Sequence, residues 1–196
     1  MRFSITAASL TALSFAAGSL AQFADTPSYV RTFGVQGGGR GRWRGAPPIL
    51  LDMENMEIYL PSSPNNLVDP ELRFQLVGVS AMGEPITAAR LVEYPGFDTA
   101  DQGYYMSKPA NGSLIYSVFD ESTDGLGPWW LVRGPENDPQ YRLTFKGSSV
   151  AKAWWDASKN RYKVYMGTDI PGNLTGLIDF DMKVTQYCGP GYTYCA

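Results

Sequence analysis

Histidine is absent from this chain of 196 residues. Without an imidazole, a Ser-His-Asp triad, a Cys-His pair and any histidine-ligated zinc, copper, haem or non-haem iron site are excluded. The Gly-x-Gly-x-x-Gly fingerprint and the phosphate-binding loop that ends in Gly-Lys-Ser/Thr are also missing. We therefore expect no metal and no cofactor. Any catalysis must rely on carboxylates, Tyr, Lys, Arg or a hard cation.

Cysteine is scarce, since the chain has only Cys188 and Cys195. Two thiols are too few for a thiolate zinc site or an iron–sulfur cluster. The intervening Gly189, Pro190 and Gly191 favour a turn that lets the chain double back. In an oxidising compartment we expect Cys188 and Cys195 to form one disulfide that closes a C-terminal loop.

Long apolar runs are lacking beyond the N-terminal region, so no membrane-spanning helix of ~18 apolar residues is predicted. The N-terminal region itself has a positive charge at Arg2, an apolar or small stretch to Ala17, and small residues at Ser19 and Ala21. This pattern predicts a signal peptide over residues 1–21, cleaved before Gln22. The mature protein is then expected to be secreted and extracellular.

The predicted export would expose two sequons to the machinery that attaches N-linked glycans. They begin at Asn111 and Asn173, and we expect both to lie on surface loops and to be candidate acceptors of N-linked glycans. As a whole, the chain resembles small secreted proteins of filamentous fungi. It carries no family motif, and no function follows from that likeness.

Net positive charge is also lacking, because the formal net charge is −3. This balance argues against nucleic acid as a partner.

The positive charge is concentrated in residues 22–48. Glycines and arginines between Gln36 and Gly45 predict that this segment is a flexible arm. Residues 49–196 are predicted to form a single domain.

The pattern of that domain is β. Apolar and polar residues alternate from Ile178 to Thr185, as expected for a half-buried strand. Residues 150–155 and 161–166 flank a polar stretch and predict a hairpin with a five-residue loop. Many short runs of this kind, separated by Gly and Pro turns, predict a mostly β fold with few or no long helices. We expect an antiparallel β-sandwich, with a closed β-barrel as the alternative.

A carboxylate pair is the first candidate site. Asp179 and Asp181 lie two residues apart in the predicted strand, so their side chains point to the same face, about 7 Å apart. This separation is within the range that paired-acid glycosidases use. A solvated polar face, with Lys183 beside the two acids, is the simpler interpretation.

Tryptophan supplies the second candidate site, in two adjacent pairs. Trp129 and Trp130 form one pair and Trp154 and Trp155 the other. Neighbours in a strand face opposite sides, so in a half-exposed sheet one member of each pair faces outward. An outward Trp offers a flat apolar surface with one N–H donor, which suits sugar stacking or a protein interface.

Three functions remain open on these observations. The leading hypothesis is a secreted, non-catalytic protein that binds an extracellular glycan, a cell-wall component or a protein partner. The first alternative is an extracellular enzyme that acts on polysaccharide through Asp179 and Asp181. The second is a β-barrel that carries a small apolar ligand.

Overall fold

In a computed structural model of the chain, the structure describes residues 32–38, 47–63, 69–81, 83–92, 103–119, 124–137, 139–188 and 193–194. These residues form strands joined by turns. The strands are β1 (Thr32–Gly38), β2 (Leu50–Asp52), β3 (Glu57–Pro61), β4 (Arg73–Ala81), β5 (Glu84–Leu91), β6 (Tyr104–Ser107), β7 (Ile115–Val118), β8 (Trp129–Arg133), β9 (Tyr141–Phe145), β10 (Ala151–Asp156), β11 (Arg161–Met166), β12 (Ile178–Cys188) and β13 (Thr193–Tyr194). Within the described ranges, the helical part is one 3-10 turn at Asp124–Leu126, and no helix there is long and apolar enough to cross a membrane.

All these strands belong to one antiparallel sheet. Its order is β1-β4-β5-β6-β7-β3-β11-β10-β12-β9-β8, with β2 added beside β3 and β13 beside β12. β12 also pairs with β1 over seven residue pairs, which links the first strand of this order to a later one. The predicted antiparallel, nearly all-β fold without long helices is confirmed.

The alternating side chains of β12 define the two sides of the sheet. Phe180, Met182 and Val184 belong to the hydrophobic core, and the intervening Asp179, Asp181 and Lys183 lie on the opposite side. The same rule applies to β8, where Trp129 is in the core. We call the side that faces the core the inner side and the opposite side the outer side. Burial of the inner side provides the main driving force for folding.

The predicted hairpin is formed by β10 and β11. Asp156 pairs with Arg161, so the loop has four residues instead of the predicted five. The loop ends at Asn160, which has a positive φ of 52°. Asn tolerates this left-handed conformation better than most residues, which allows the tighter turn.

One segment differs from the prediction of a flexible arm over residues 22–48. Thr32–Gly38 forms β1, which pairs with both β12 and β4. The glycines here allow close packing, because a Cβ atom at Gly38 would lie only 2.4 Å from the Lys183 side chain. Two neighbouring strands therefore order a segment whose own composition predicts flexibility. Residues 39–46 lie outside the described residues.

Candidate functional site

The outer side of β2, β3 and β11 carries a cluster of charges around one arginine. Arg161 Nη1 lies 2.6 Å from Asp52 Oδ2, and Arg161 Nη2 donates to Glu57 Oε2. The side chains of Arg161 and Asp52 are each only 9% exposed. The arginine also stacks on Tyr59, with Cζ 4.4 Å from the ring centroid. A single guanidinium thus pairs with one buried carboxylate, Asp52, and with one partly buried carboxylate, Glu57.

Two lysines also bind Glu57, and one of them lies near a third carboxylate, Asp156. Lys159 Nζ lies 3.0 Å from Glu57 Oε2, and Lys163 Nζ lies 3.6 Å from both Glu57 Oε1 and Asp156 Oδ2. We call these charged side chains the Arg161 cluster. Its members are Asp52, Glu57, Asp156, Lys159, Arg161 and Lys163.

The turn between β2 and β3 holds Asp52 in place. Its Oδ1 accepts hydrogen bonds from the backbone N–H groups of Glu54 and Asn55, at 3.0 and 2.9 Å, and its Oδ2 accepts one from the Asn55 amide at 2.7 Å. Burial acts to raise the pKa of Asp52, but the hydrogen bonds from Asn55 and Arg161 outweigh it and hold the pKa below its usual value. Asp52 therefore stays ionised at neutral pH.

The other two carboxylates are ionised for similar reasons. Burial acts to raise the pKa of Glu57, but Lys159, Lys163 and Arg161 lower it overall. Hydrogen bonds from Ser158 are the main cause of the lowered pKa of Asp156. A group that must donate a proton near neutral pH needs a raised pKa instead. The Arg161 cluster therefore acts as a self-neutralised ion network and lacks a carboxylic acid that could donate a proton.

A cleft of about 190 Å³ lies beside this network and is lined by Tyr59, Asp69, Lys159 and Asn160, among others. The Tyr59 hydroxyl donates a 2.6 Å hydrogen bond to Asp69 Oδ2. Burial, followed by this contact with Asp69, raises the pKa of Tyr59, so its hydroxyl stays protonated. The polar groups of the cleft are thus largely bound to one another.

A second region of the outer side lies on β8, β9 and β12, and it is open to solvent. Trp130 is 39% exposed and Val132, two residues along the same strand, is 51% exposed. Trp130 pairs with Thr144, Val132 pairs with Arg142, and Arg142 pairs with Lys183. We call this surface the Trp130 face. Its members are Trp130, Val132, Arg142, Asp181 and Lys183, and Thr144 between them is buried.

The polar members of the Trp130 face come from the strands next to the tryptophan. Arg142 Nη2 lies 3.4 Å from Asp181 Oδ2, and the Asp181 side chain is 41% exposed. The spacing between strands, about 4.8 Å, places these groups roughly one to two strand widths from the indole ring. An exposed aromatic plane next to planar charged groups can stack on the apolar face of a sugar and bind its hydroxyls.

The structure places the four candidate tryptophans in different surroundings. Trp129 is fully buried and packs against Phe145, with ring centroids 4.8 Å apart, so only Trp130 of this pair is accessible to a ligand. Trp154 is half-buried on the outer side, paired with Lys163. Trp155 is 38% exposed but packs on its cross-strand partner Tyr162, with centroids 4.8 Å apart.

Asp179 and Asp181 lie on the same side of β12, but different cations bind them. Asp179 Oδ1 accepts a 2.7 Å hydrogen bond from Lys152 on β10, and its side chain is 81% exposed. Asp181 pairs with Arg142 on β9. The two acids are therefore solvated members of separate surface ion pairs, the arrangement expected of a solvent-facing strand.

The remaining predicted sites are modification sites. Asn111 and Asn173 are both exposed and lie in turns. Their glycosylation stays a prediction. Cys195 lies outside the described residues, as do residues 1–21, so the disulfide and the signal peptide also stay predictions. The pairing of Tyr187 with Tyr194 does place β12 and β13 in antiparallel order.

Sequence reasoning missed the Arg161 cluster. Asp52 and Glu57 are more than 100 positions from Arg161, and no local motif connects them. The pairing of Arg161 with Pro61, and of Asp52 with Glu57, brings the three together. The Tyr59–Asp69 hydrogen bond was also missed, because it depends on how the connection after β3 folds back and no local pattern predicts that.

Among the described residues, no group of three or more Cys, Asp and Glu side chains is arranged to hold a metal ion. Comparison of the chain with protein-family models, with curated proteins and with solved structures finds no match.

Proposed function

We propose that this chain is a secreted, non-catalytic binding protein and that the Trp130 face binds an extracellular glycan. The observation that carries the proposal is the exposed indole of Trp130 on an open sheet face, next to the Arg142–Asp181 ion pair. Exposed large apolar groups rimmed by polar side chains are typical of binding surfaces. Trp and Arg are also the residues that most often dominate binding energies.

Chemical fit favours a glycan over other extracellular partners. A pyranose ring has an apolar C–H face that can lie flat on an indole, and its hydroxyl groups both donate and accept hydrogen bonds. The carboxylate of Asp181 accepts and the guanidinium of Arg142 donates. The face thus offers one stacking surface on β8 and both kinds of polar partner on the two strands beyond it, β9 and β12.

The two alternative functions gain no specific support. Asp179 is highly exposed and bound to Lys152, and Asp181 is bound to Arg142, so the two acids belong to separate surface ion pairs. For an apolar carrier, the inner side of the sheet would have to enclose a lumen. The described inner side is packed with side chains such as Trp129, Phe74 and Tyr116.

A glycan array with purified protein tests the proposal. We expect binding to a restricted set of glycans and, for Trp130→Ala, a loss of affinity of about tenfold or more, because truncating an aromatic residue that dominates a binding surface costs about 2 kcal/mol or more. Trp155→Ala is the matched control, since Trp155 is 38% exposed against 39% for Trp130. Its affinity should stay within about twofold of the wild type.

Two results would overturn this assignment. The first is the absence of any glycan bound by the wild type, and the second is equal loss in the two tryptophan variants. A parallel incubation with cell-wall polysaccharides should release no new reducing ends. Release by the wild type that disappears in Asp179→Asn would establish the enzyme alternative instead.

A further inference from the structure

The turn between β2 and β3 carries two exposed methionines. Met53 begins this turn and Met56 ends it, and the two residues are 36% and 43% exposed. The other methionines that the structure describes are buried at 0–1% exposure, namely Met106, Met166 and Met182. In the folded protein, a small reagent dissolved in water therefore reaches the two methionines of the turn first.

The backbone at Met56 is in a conformation that methionine disfavours. Its φ is 55°, the left-handed region in which the Cβ atom comes too close to the following carbonyl oxygen. The turn is a four-residue loop closed by the pair of Asp52 and Glu57. The β10–β11 hairpin has a loop of the same length, and there Asn160, a residue that tolerates this region, takes the last position with φ 52°. Neither backbone preference nor packing explains an exposed methionine at position 56, which indicates a role of the side chain itself.

Both methionines contact one core residue, Tyr116 on β7. The Tyr116 backbone N–H donates to the Met56 carbonyl at 3.0 Å, and the Tyr116 hydroxyl lies 3.6 Å from Met53 Sδ. The same hydroxyl donates to the Asp52 carbonyl at 3.0 Å. Burial, followed by the charge of Asp52, raises the pKa of Tyr116 to about 12, so the hydroxyl stays protonated and remains a donor. Its one hydrogen is bonded to the carbonyl, and the thioether is a weak second acceptor.

We propose that Met53 and Met56 form a modification site for hydrogen peroxide, and that oxidation of Met53 changes the hydrogen bonding of Tyr116. In the reaction, the sulfur lone pair attacks one peroxide oxygen, so that an S–O bond forms and the O–O bond breaks. The sulfur is oxidised by two electrons and the peroxide is reduced. The departing hydroxide takes the proton of the transferred oxygen and leaves as water. The product is methionine sulfoxide, which is a polar and reversible modification.

The added oxygen competes for the Tyr116 hydroxyl. A sulfoxide oxygen is a stronger acceptor than a thioether sulfur, and at Met53 it is bonded to an atom 3.6 Å from that hydroxyl. Because the hydroxyl has one hydrogen, donation to the sulfoxide is at the expense of the Asp52 carbonyl. Asp52 is 6% exposed, and a buried acceptor that loses its donor is destabilising. Oxidation of Met53 therefore loosens the turn that holds Asp52 beside Arg161.

Met56 provides an internal comparison. It contacts Tyr116 through its backbone carbonyl, so a sulfoxide on its side chain should leave the bond from the Tyr116 hydroxyl to Asp52 in place. The two methionines of one turn should thus be similarly reactive but differ in the effect of their oxidation on stability. This inference does not depend on the Trp130 face, which lies on β8, β9 and β12.

Site-resolved mass spectrometry of the folded protein after a short incubation with hydrogen peroxide tests the modification site. We expect Met53 and Met56 to gain one oxygen atom at least about tenfold faster than the buried methionines, because a buried thioether reacts only when the structure around it opens. The same incubation in urea should bring the rates together. Equal rates in the folded protein, or no oxidation in the turn, would overturn the assignment of the site.

The urea midpoint of the oxidised protein tests the role of Tyr116. Oxidised wild type should unfold at a lower urea concentration than untreated protein, and oxidised Met56→Leu should show the same shift. The shift should be absent in oxidised Met53→Leu and in oxidised Tyr116→Phe, which lacks the hydroxyl. Leu is close to Met in volume and apolar character, so the Leu variants should fold. An unchanged midpoint in the oxidised wild type, or an equal shift in oxidised Met53→Leu, would overturn this role.

Discussion

On β3 and β11 the outward polar side chains bind one another, whereas on β8 the outward tryptophan faces solvent. In the Arg161 cluster, a guanidinium and two ammonium groups neutralise three carboxylates, with 2.6 Å between Arg161 and Asp52 and 3.0–3.6 Å for the lysine pairs. On the Trp130 face, an apolar ring lies beside an ion pair of 3.4 Å between Arg142 and Asp181.

This difference indicates which of the two regions is the better binding site for a ligand. A ligand at the Arg161 cluster would have to replace hydrogen bonds that already exist between buried charges, so it gains little. A ligand on the Trp130 face removes apolar surface of Trp130 and Val132 from water, and the Arg142–Asp181 ion pair that it meets there is longer than those of the cluster and involves an Asp181 side chain that is 41% exposed. The region with more charged groups is therefore the less suitable binding site. The two regions should also differ in how much they contribute to the free energy of unfolding.

The largest effect is expected for Arg161→Met. This change leaves Asp52 buried without its cation, whereas the partly buried Glu57 keeps Lys159 and Lys163. Breaking a buried pair in this way costs about 3–5 kcal/mol. The measurement is the free energy of unfolding in urea. Lys152→Met is the control, because its pair with Asp179 is exposed and should contribute less than about 1 kcal/mol. Similar losses in both variants would show that the Arg161 cluster is not a buried network.

A smaller effect is expected on acidification of the wild type. Asp52, Glu57 and Asp156 have folded-state pKa values below their usual ones, so they stabilise the fold at pH values above about 4, where the unfolded carboxylates are ionised. This stability is lost as the pH falls from about 4 through the folded-state pKa values.

Urea unfolding at a series of pH values between about 6 and 2 measures this loss. In Arg161→Met the dependence of stability on pH should flatten in part, because Asp52 and Glu57 lose one of the causes of their lowered pKa values, whereas Asp156 keeps its hydrogen bonds from Ser158. An identical dependence in wild type and variant would assign the acid sensitivity to other carboxylates.

The smallest effect on stability is expected for Trp130→Ala. The indole is already 39% exposed and lies outside the hydrophobic core, so the free energy of unfolding should fall by about 1 kcal/mol or less. The same urea experiment measures it. A loss as large as that of Arg161→Met would identify Trp130 as a packing residue, and the contrast between the two regions would disappear.

Much of the fold could be predicted from local pattern. The alternation in β12 and the paired runs of β10 and β11 identified strands and a hairpin, and many short runs predicted an antiparallel all-β fold. The flexible arm predicted for residues 22–48 differs from the structure at β1, a strand that includes the first glycines of the Gly- and Arg-rich segment. Pairing with β12 and β4 orders Thr32–Gly38, and a composition-based prediction does not include such neighbours.

The candidate site was less predictable. Adjacent tryptophans in a strand must face opposite sides, and this rule singled out the pair at Trp129 and Trp130. The rule does not predict which of the two tryptophans enters the core, because that depends on which side of β8 packs against the rest of the protein. At Trp154 and Trp155 neither member is fully buried, since the end of β10 lies beside a hairpin turn and Trp155 packs on Tyr162 alone of the described rings.

The sequence by itself determined the chemistry that is excluded and the class of the fold. The absence of histidine removes whole classes of site whatever the conformation, and a side-chain period of two is a property of neighbouring residues in one strand. Only the tertiary structure decided that Asp52 and Glu57 share Arg161, that Trp130 is the exposed member of its pair, and that the Tyr116 hydroxyl lies against Met53. Each of these depends on the register between distant strands or on the packing of distant turns, and burial of the core, not local pattern, fixes both.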